Sequence, residues 1–330
     1  MILRTFDNGW TSDYPAKQLE QEILKPALDQ LQHSNKRVIV INSTWYTDEY
    51  HQTVLEYLRS NTIDCIVLVS MLDFAIPQPS WFKEFDAEIV GLGYYPGPGQ
   101  LDFWALFLDQ NFFSPHTIEL CRIDLIDRPF MCLNRKPHWH RQQLYQQLCD
   151  RNLQHIGLVS MGGEDGQAVQ KLDNDIDVPH LAPNSGPEQT GILNDISSLG
   201  NIKNWARSFL NVVTETSYNI NQHHFVSEKI YKPIVGLRPF LVYDSDGASK
   251  WLRDRKFVTY YDDFTDITDL DLTNPDNVAP FLSVLSNQSK SYWQKKLVDL
   301  NQKIVYNKQN FYKYVDAQKI KAQKGIVCQA

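Results

Sequence analysis

The segment FVSEKIYKPIVGLRPFLVYDS sets an acid and a base side by side where a helical pattern begins. Ser227 is a good helix N-cap, and the N–H groups exposed at such a helix start favour an anion. Lys229 in the first turn opposes the helix dipole, a conflict that a bound phosphate removes. Glu228 can accept hydrogen bonds from ribose hydroxyls. We therefore expect a nucleotide diphosphate at this solvated acid–base pair.

The alternative is an ordinary capped helix whose Glu228 and Lys229 face solvent. Pro233, at the sixth helical position, predicts a short or kinked helix.

A second basic segment, LNRKPHWHRQQLYQQL, lies between a predicted strand end and a predicted helix start. It contains Asn134, Arg135, Lys136 and Arg141. The planar fork of an arginine suits bidentate contact with phosphate. A basic surface turn is the alternative interpretation, but two basic strand-to-helix turns in one part of the chain favour an anion site.

A third segment, FLNVVTETSYN, delivers Glu215 and Thr216 to the carboxyl end of a predicted strand. An acidic residue at that position can orient a nucleotide or a sugar. It can equally do no more than cap the next turn.

These segments need elements that position them, and short apolar runs predict strands. The first three runs are β-branched and nearly continuous in apolar residues, which predicts strands buried on both faces, as in a parallel sheet. The runs are residues 37–43, 63–70, 87–93, 130–135, 156–161, 209–216, 239–244 and 256–261. Helical spacing between them predicts the helices DEYHQTVLEYLRS, DFWALFLDQNFF, HRQQLYQQLCDRN and GASKWLRDR. The alternation of strand and helix is typical of right-handed β-α-β units.

The 330 residues exceed one ordinary core, and two successive α/β series meet near Asp124. We expect two Rossmann-like, doubly wound domains, residues 1–124 and 125–330, with a cleft between them where ligands bind at the carboxyl ends of the strands. Residues 162–187 predict a long loop. The tail from Ser289 to about Gln323 predicts one long helix, packed through Trp293, Leu297 and Leu300.

Composition restricts the classes of partner. Lys and Arg number 32 against 39 Asp and Glu, and the net charge of −7 argues against a broad nucleic-acid-binding face. Five cysteines, an odd number without C-x-x-C spacing, predict free thiols in a reducing compartment. The sequence has no apolar leader and no apolar run of membrane-spanning length, so we expect no membrane span and a soluble cytoplasmic protein.

Taken together, the three chemical segments resemble the donor domain of GT-B nucleotide-sugar glycosyltransferases. The resemblance is greatest to the α-1,3-fucosyltransferase-like group and related viral and bacterial enzymes. That group has a strand ending in Glu-Asn or Glu-Thr, a gap, and then Tyr/Phe-Val-Thr/Ser-Glu-Lys before an apolar strand with proline. Here Glu215-Thr216, Phe225 to Lys229 and Pro239-Phe240 occupy these places. The likeness covers about residues 130–259.

The resemblance implies a GT-B fold, with Glu228 on the ribose, Lys229 on the diphosphate and Glu215 near the donor sugar. The phosphate-binding arginine of the family follows an asparagine by several residues and starts a helix. Arg141 after Asn134 matches this pattern best, and Arg135 is a rival. The nucleotide sugar is a substrate, so no cofactor is implied, and the acceptor is a glycan or another hydroxyl compound.

The first half of the chain has no counterpart of the family's acidic loop that supplies the general base. Asp73, just past the strand at 63–70, is the best-placed candidate, with Asp13 and Asp102 behind it. A simple turn residue is the alternative interpretation of Asp73.

Metal signals are weak. The stretch DNDID, residues 173–177, contains Asp-x-Asp, which holds a divalent ion in the other main glycosyltransferase fold, but we interpret it as an acidic solvated loop. The pairs His138/His140 and His223/His224 lack further ligands at zinc spacing, so we expect solvent or packing roles and no metal site.

The function expected from these observations is metal-independent transfer of a sugar from a nucleoside-diphosphate sugar to an acceptor hydroxyl. One alternative is a non-catalytic nucleotide-sugar-binding or scaffold protein. Another is a glycosyltransferase acting on modified bases of nucleic acid, which the acidic charge balance disfavours.

Overall fold

The computed structural model describes residues 2–8, 25–26, 37–43, 48–70, 82–93, 120–134, 136–163, 168–170, 172, 199, 202–215, 218, 227–244 and 247–329. Backbone packing groups the chain into two compact units, one of Met1–Leu106 with Tyr314–Ala330 and the other of Phe107–Lys313. The domain boundary predicted at residue 124 lies inside the second unit, Phe107–Lys313. The functions that the sequence analysis assigns to the two domains stay predictions.

The first unit contains a four-stranded sheet, parallel throughout, in the order β1-β2-β3-β4. Its strands are β1 (Ile2–Asn8), β2 (Arg37–Ser43), β3 (Cys65–Ser70) and β4 (Glu88–Gly93). Helix α1 (Asp48–Ser60) follows β2 and packs its apolar side against the sheet. The predictions of β2, β3, β4 and α1 are confirmed, whereas β1 was not predicted.

The second unit contains a five-stranded mixed sheet in the order β7-β6-β5-β8-β9, in which only the edge strand β7 is antiparallel to its neighbour. Its strands are β5 (Arg128–Asn134), β6 (Leu158–Gly162), β7 (Ala168–Gln170), β8 (Ser208–Val213) and β9 (Phe240–Val242). The near-complete burial of β5, β8 and β9 explains their continuous apolar runs. β7 lies in a stretch that the sequence predicts to be loop.

In the part of the chain that the structure describes, seven helices lie in the second unit or at the carboxyl-terminal end. They are α2 (Trp139–Asp150), α3 (Ile202–Arg207), α4 (Glu228–Val235), α5 (Gly247–Asp254), α6 (Val278–Ser286), α7 (Lys290–Asp299) and α8 (Asn301–Gln329). The predictions of α2 and α5 are confirmed, and the predicted helix DFWALFLDQNFF lies outside the described residues.

Strand order reverses in the second sheet at β5. Strand β6 lies on one side of β5, and β8, the next parallel strand along the chain, lies on the other. At such a reversal the connections leave in opposite directions and open a crevice at the carboxyl ends of the two strands, where ligands bind. The described strands of the first sheet show no reversal. A ligand-binding site is therefore expected at the carboxyl ends of β5 and β8.

The prediction of a strand at residues 256–261 is wrong. After Lys256, whose φ is 63°, this stretch runs without strand pairing into a 3-10 turn at Tyr261–Phe264. Asn307 on α8 accepts a hydrogen bond from the Val258 N–H and donates one to the Val258 carbonyl, each at 2.8 Å. Because a side-chain amide occupies both backbone groups, a neighbouring strand cannot pair with them.

The single predicted tail helix is two helices, α7 and α8, that join at Leu300. Trp293, Leu297 and Leu300 are buried, which confirms their packing role. The Trp293 indole also donates to the Leu285 carbonyl at 3.0 Å. None of the described helices combines the length and the apolar character that crossing a membrane requires.

Candidate nucleotide site

Six predicted site residues lie at the carboxyl edge of the second sheet, around the reversal of strand order. They are Asn134 at the end of β5, Arg141 in the first turn of α2, Glu215 after β8, and Ser227, Glu228 and Lys229 at the start of α4. Other candidates lie outside the described residues: Asp13, Asp73, Asp102, Arg135, Thr216, residues 173–177, His223 and His224.

Helix α4 begins as the sequence predicts. Ser227 is its N-cap in extended conformation, and its Oγ accepts from the Lys229 N–H at 3.3 Å. The helix has eight residues with Pro233 inside it, which confirms the prediction of a short helix. Gly236 follows directly, and a Cβ there would lie 2.6 Å from the Trp205 ring. Only glycine lets α4 end this close to the neighbouring indole.

The acid–base pair at the start of α4 is asymmetric in its exposure. Lys229 Nζ lies 2.8 Å from Glu228 Oε1, with 30% of the lysine side chain exposed but only 7% of the glutamate side chain. The expectation of a solvated pair is therefore wrong for Glu228. Burial pushes the pKa of Glu228 up, but the charges of Lys229 and Lys232 more than offset this and hold the pKa below its usual range. Glu228 is a buried carboxylate, and Lys229 reaches toward solvent.

Glu215 is hydrogen-bonded to Ser227, the N-cap of helix α4. Its Oε1 accepts from the Ser227 N–H at 3.1 Å, and its Oε2 accepts from the Ser227 hydroxyl at 2.5 Å. Burial raises the pKa of Glu215, opposed by the charge of Lys229 and the bonds from Ser227. The contacts present in the protein are those of the capping interpretation, and a role of Glu215 near a donor sugar stays a prediction.

The first turn of α2 is hydrogen-bonded to the residues that follow β8. Arg141 is buried, and its guanidinium donates to the carbonyls of Lys136, Thr214 and Glu215 at 3.3, 3.1 and 2.9 Å. His140 is also buried, and its Nε2 lies 2.9 Å from the Glu215 carbonyl. A carbonyl oxygen only accepts, so Nε2 carries a proton. These bonds tie the first turn of α2 to β8, and the phosphate role of Arg141 stays a prediction.

Asn134 joins the ends of the two central strands. The Thr214 hydroxyl, at the end of β8, donates to the amide oxygen of Asn134, at the end of β5. The amide nitrogen of Asn134 in turn donates to Cys132 Sγ at 3.3 Å, and all three residues are buried. This bond holds together the two strand ends between which the crevice opens.

A cluster of rings beside the start of α2 was not foreseen as part of the site. The rings of His138 and His140 are stacked with centroids 6.0 Å apart, and Tyr218 lies 4.9 Å from Trp139 and 5.3 Å from His140. Trp139 is 54% exposed. The signal available in the sequence was the alternation His-Trp-His directly before Arg141.

Positive charges from both basic turns act on the His138 ring. The pKa of His138 is lowered to about 4. Burial is the largest cause, and positive charges on Arg141, His140, Lys136 and Lys229 add to it. The charge of Lys229, on α4, thus acts on the N-cap of α2. The first turn of α2 contains no acidic residue to offset this field.

The arrangement brings together two helix N-termini, the cations Arg141 and Lys229, and the acids Glu215 and Glu228 at one edge of a sheet. Helix N-termini and cations at such an edge favour an anion. Among the described residues, no group of three or more His, Cys, Asp or Glu side chains could hold a metal ion. The stretch at residues 173–177 lies outside that part of the chain.

Comparison with known proteins finds similarity among solved structures. No protein-family model and no curated protein matches the chain. Among solved structures, the chain is similar to the crystal structure of an α1,3-fucosyltransferase with GDP, at 13% sequence identity and a TM-score of 0.41. The match covers 88% of this chain and 92% of that chain.

Proposed function

We propose that this protein is a glycosyltransferase that moves a sugar from a nucleoside-diphosphate sugar to an acceptor hydroxyl. The observation that carries the proposal is the meeting of two basic helix starts where strand order reverses. Glu215 contacts both of them, through Ser227 on α4 and through Arg141 on α2. Helix N-termini and fixed cations at such a crevice favour a diphosphate, and the Ser-Glu-Lys motif resembles that of the donor domains described above.

In this proposal Lys229 contacts the diphosphate, because its ammonium is the partly exposed cation at the start of α4. Glu228 accepts from the ribose hydroxyls through the carboxylate oxygen that does not bind Lys229. Arg141 contributes positive charge from a buried position while it holds α2 on β8. Arg135 and Thr216 remain candidates of the same site from the sequence.

The chemical contribution of these groups is stabilisation of the leaving diphosphate. As the bond to the sugar breaks, negative charge grows on the phosphate oxygens, and preorganised cations and N–H groups lower the energy of that charge. We propose that the charge from Lys229 and the two helix starts suffices without a divalent cation. Asp73 is the proposed general base toward the acceptor hydroxyl, and the acceptor is a glycan or another hydroxyl compound.

Thermal shift with a panel of nucleoside diphosphates tests the binding part, since a ligand that binds the folded state raises its melting temperature. We expect at least one nucleoside diphosphate to stabilise the protein where the nucleoside does not. Donor hydrolysis or transfer in EDTA then tests catalysis and metal independence. Binding without turnover would leave a nucleotide-sugar-binding protein, and activity lost in EDTA but restored by Mg²⁺ or Mn²⁺ would shift attention to residues 173–177.

A further inference from the structure

Glu215 contacts both helix starts of the site at once. Its carboxylate accepts two bonds from Ser227, the N-cap of α4, at 3.1 and 2.5 Å. Its backbone carbonyl accepts from Arg141 at 2.9 Å and from His140 at 2.9 Å, both in the first turn of α2. Glu215 therefore links the two basic turns, and the Thr214 carbonyl beside it also accepts from Arg141, at 3.1 Å.

The Ser227 hydroxyl connects the Glu215 carboxylate to Lys229 through hydrogen bonds. The hydroxyl donates a hydrogen bond to the Glu215 carboxylate. Its oxygen accepts from both the backbone N–H and the Nζ of Lys229, each at 3.3 Å. A hydroxyl has one proton to donate and two lone pairs to accept with, so all three positions are in use. The direction in which the hydroxyl points, and with it the placing of Lys229, depends on Glu215 being an acceptor.

We infer that the Glu215 side chain is a positioning group for anion binding, which orients Lys229 through the Ser227 hydroxyl, and that it does not contact the donor sugar. This inference rests on the proposed function. Glu215 is 2% exposed, and each of its carboxylate oxygens already has a donor. It differs from the role that the family resemblance implies, in which the glutamate lies near the sugar.

Glu215→Gln tests the inference with little change of shape. Its amide oxygen can keep the bond from the Ser227 N–H, but its amide nitrogen then donates toward the Ser227 hydroxyl. Three donors compete for two lone pairs, so the bonds to Lys229 weaken. Asp254→Asn is the matched control, because Asp254 is an exposed acid that pairs with Lys250 at 2.7 Å.

Calorimetric titration uses three classes of probe: inorganic pyrophosphate, the nucleoside diphosphates GDP and UDP, and the corresponding nucleotide sugars. A positioning role predicts that Glu215→Gln weakens binding of all classes by the same factor, about tenfold, while Asp254→Asn changes none of them. In a Ser227→Ala background the same substitution has little further effect, because the path through the hydroxyl is already gone. A loss confined to nucleotide sugars indicates direct sugar contact and overturns the inference, as does unchanged affinity for every probe.

Amide hydrogen exchange by NMR gives a readout that needs no ligand. We expect the Lys229 N–H to exchange faster in Glu215→Gln, while the Ser227 N–H changes little, and circular dichroism confirms that the variant is folded. Unaltered Lys229 exchange overturns the inference. If no phosphate compound binds the parent protein, the proposed function fails, and the exchange rates alone then decide whether Glu215 positions Lys229.

Discussion

The Lys229 ammonium lies 2.8 Å from the carboxylate of Glu228, its neighbour in the chain, at the start of helix α4. Adjacent helical residues do not normally face each other. Here the lysine folds back over the N-terminus, where it also reaches the Ser227 hydroxyl. The Glu228 carboxylate offsets part of the repulsion between this cation and the helix dipole. Lys229 is the first residue to test, because its ammonium is the partly exposed cation at this helix start.

Lys229→Ala should weaken binding of the best nucleoside diphosphate by about 1.5–3 kcal/mol, the range for a hydrogen bond to a charged group. Calorimetric titration measures the change. Lys250→Ala is the control, because Lys250 is an exposed lysine near the start of α5 whose ion pair is with Asp254. Equal affinity of the parent and Lys229→Ala would mean that the Ser-Glu-Lys motif is only a helix start.

Glu228→Gln should weaken nucleotide binding less than Lys229→Ala does, because it removes the charge of one acceptor and keeps its shape. The loss should shrink toward zero for a nucleotide without ribose hydroxyls, since the proposed partner of Glu228 is then missing. Titration with the ribose and dideoxyribose forms measures this difference. Glu84→Gln, in an exposed ion pair with Arg59, is the control. A loss of equal size with both nucleotides contradicts the ribose assignment.

His138 should titrate near pH 4 in the ligand-free protein, and a bound nucleoside diphosphate should raise its pKa by offsetting the surrounding cations. Because the folded-state pKa is below the ordinary value of 6.5, the unfolded state binds more protons between about pH 6.5 and pH 4. The free energy of unfolding should therefore fall as pH drops through that window, and less so in His138→Gln. NMR titration of the ring protons checks the first statement, with exposed His155 as the assignment reference. A His138 pKa that does not respond to nucleotide would place the anion elsewhere.

Arg238→Met should lower the free energy of unfolding by about 3–5 kcal/mol, because several buried carbonyls lose their hydrogen-bond donor at once. The Arg238 guanidinium is buried and donates to five carbonyls, those of Leu120, Trp205, Ala206, Ser208 and Leu237. Urea unfolding followed by circular dichroism measures the loss. Arg151→Met, at an exposed arginine with one bond to the Gln147 carbonyl, should change stability by less than about 0.5 kcal/mol. Similar values for the two variants would show that the carbonyls find other donors.

The sequence was sufficient for those parts of the fold that local patterns encode. Apolar runs predict β2, β3, β5 and β8 because these strands are buried, and helical spacing predicts α1 and α2. The run at 256–261 has the same composition as a strand, but its backbone partner is Asn307, a residue far away in sequence. No local pattern contains that contact.

The same distinction applies to the site. The types and spacing of Ser227, Glu228 and Lys229 predict a capped helix start, and the structure has one. The burial of Glu228 and the contact of His140 with Glu215 depend on how α2 and α4 pack on β8. Such packing follows from the strand order of the sheet, which sequence periodicity does not specify.

The division of the chain into units bears on how the protein is made. Tyr314–Ala330 groups with Met1–Leu106, although the whole of the second unit lies between them in sequence. During synthesis on the ribosome, Phe107–Lys313 emerges as one uninterrupted segment and can fold while the first unit still lacks its last part. Domains usually fold in the order in which they are translated, whereas here the second unit is complete in the growing chain before the first. A nascent chain halted before Tyr314 would thus contain the whole of the second unit but only part of the first.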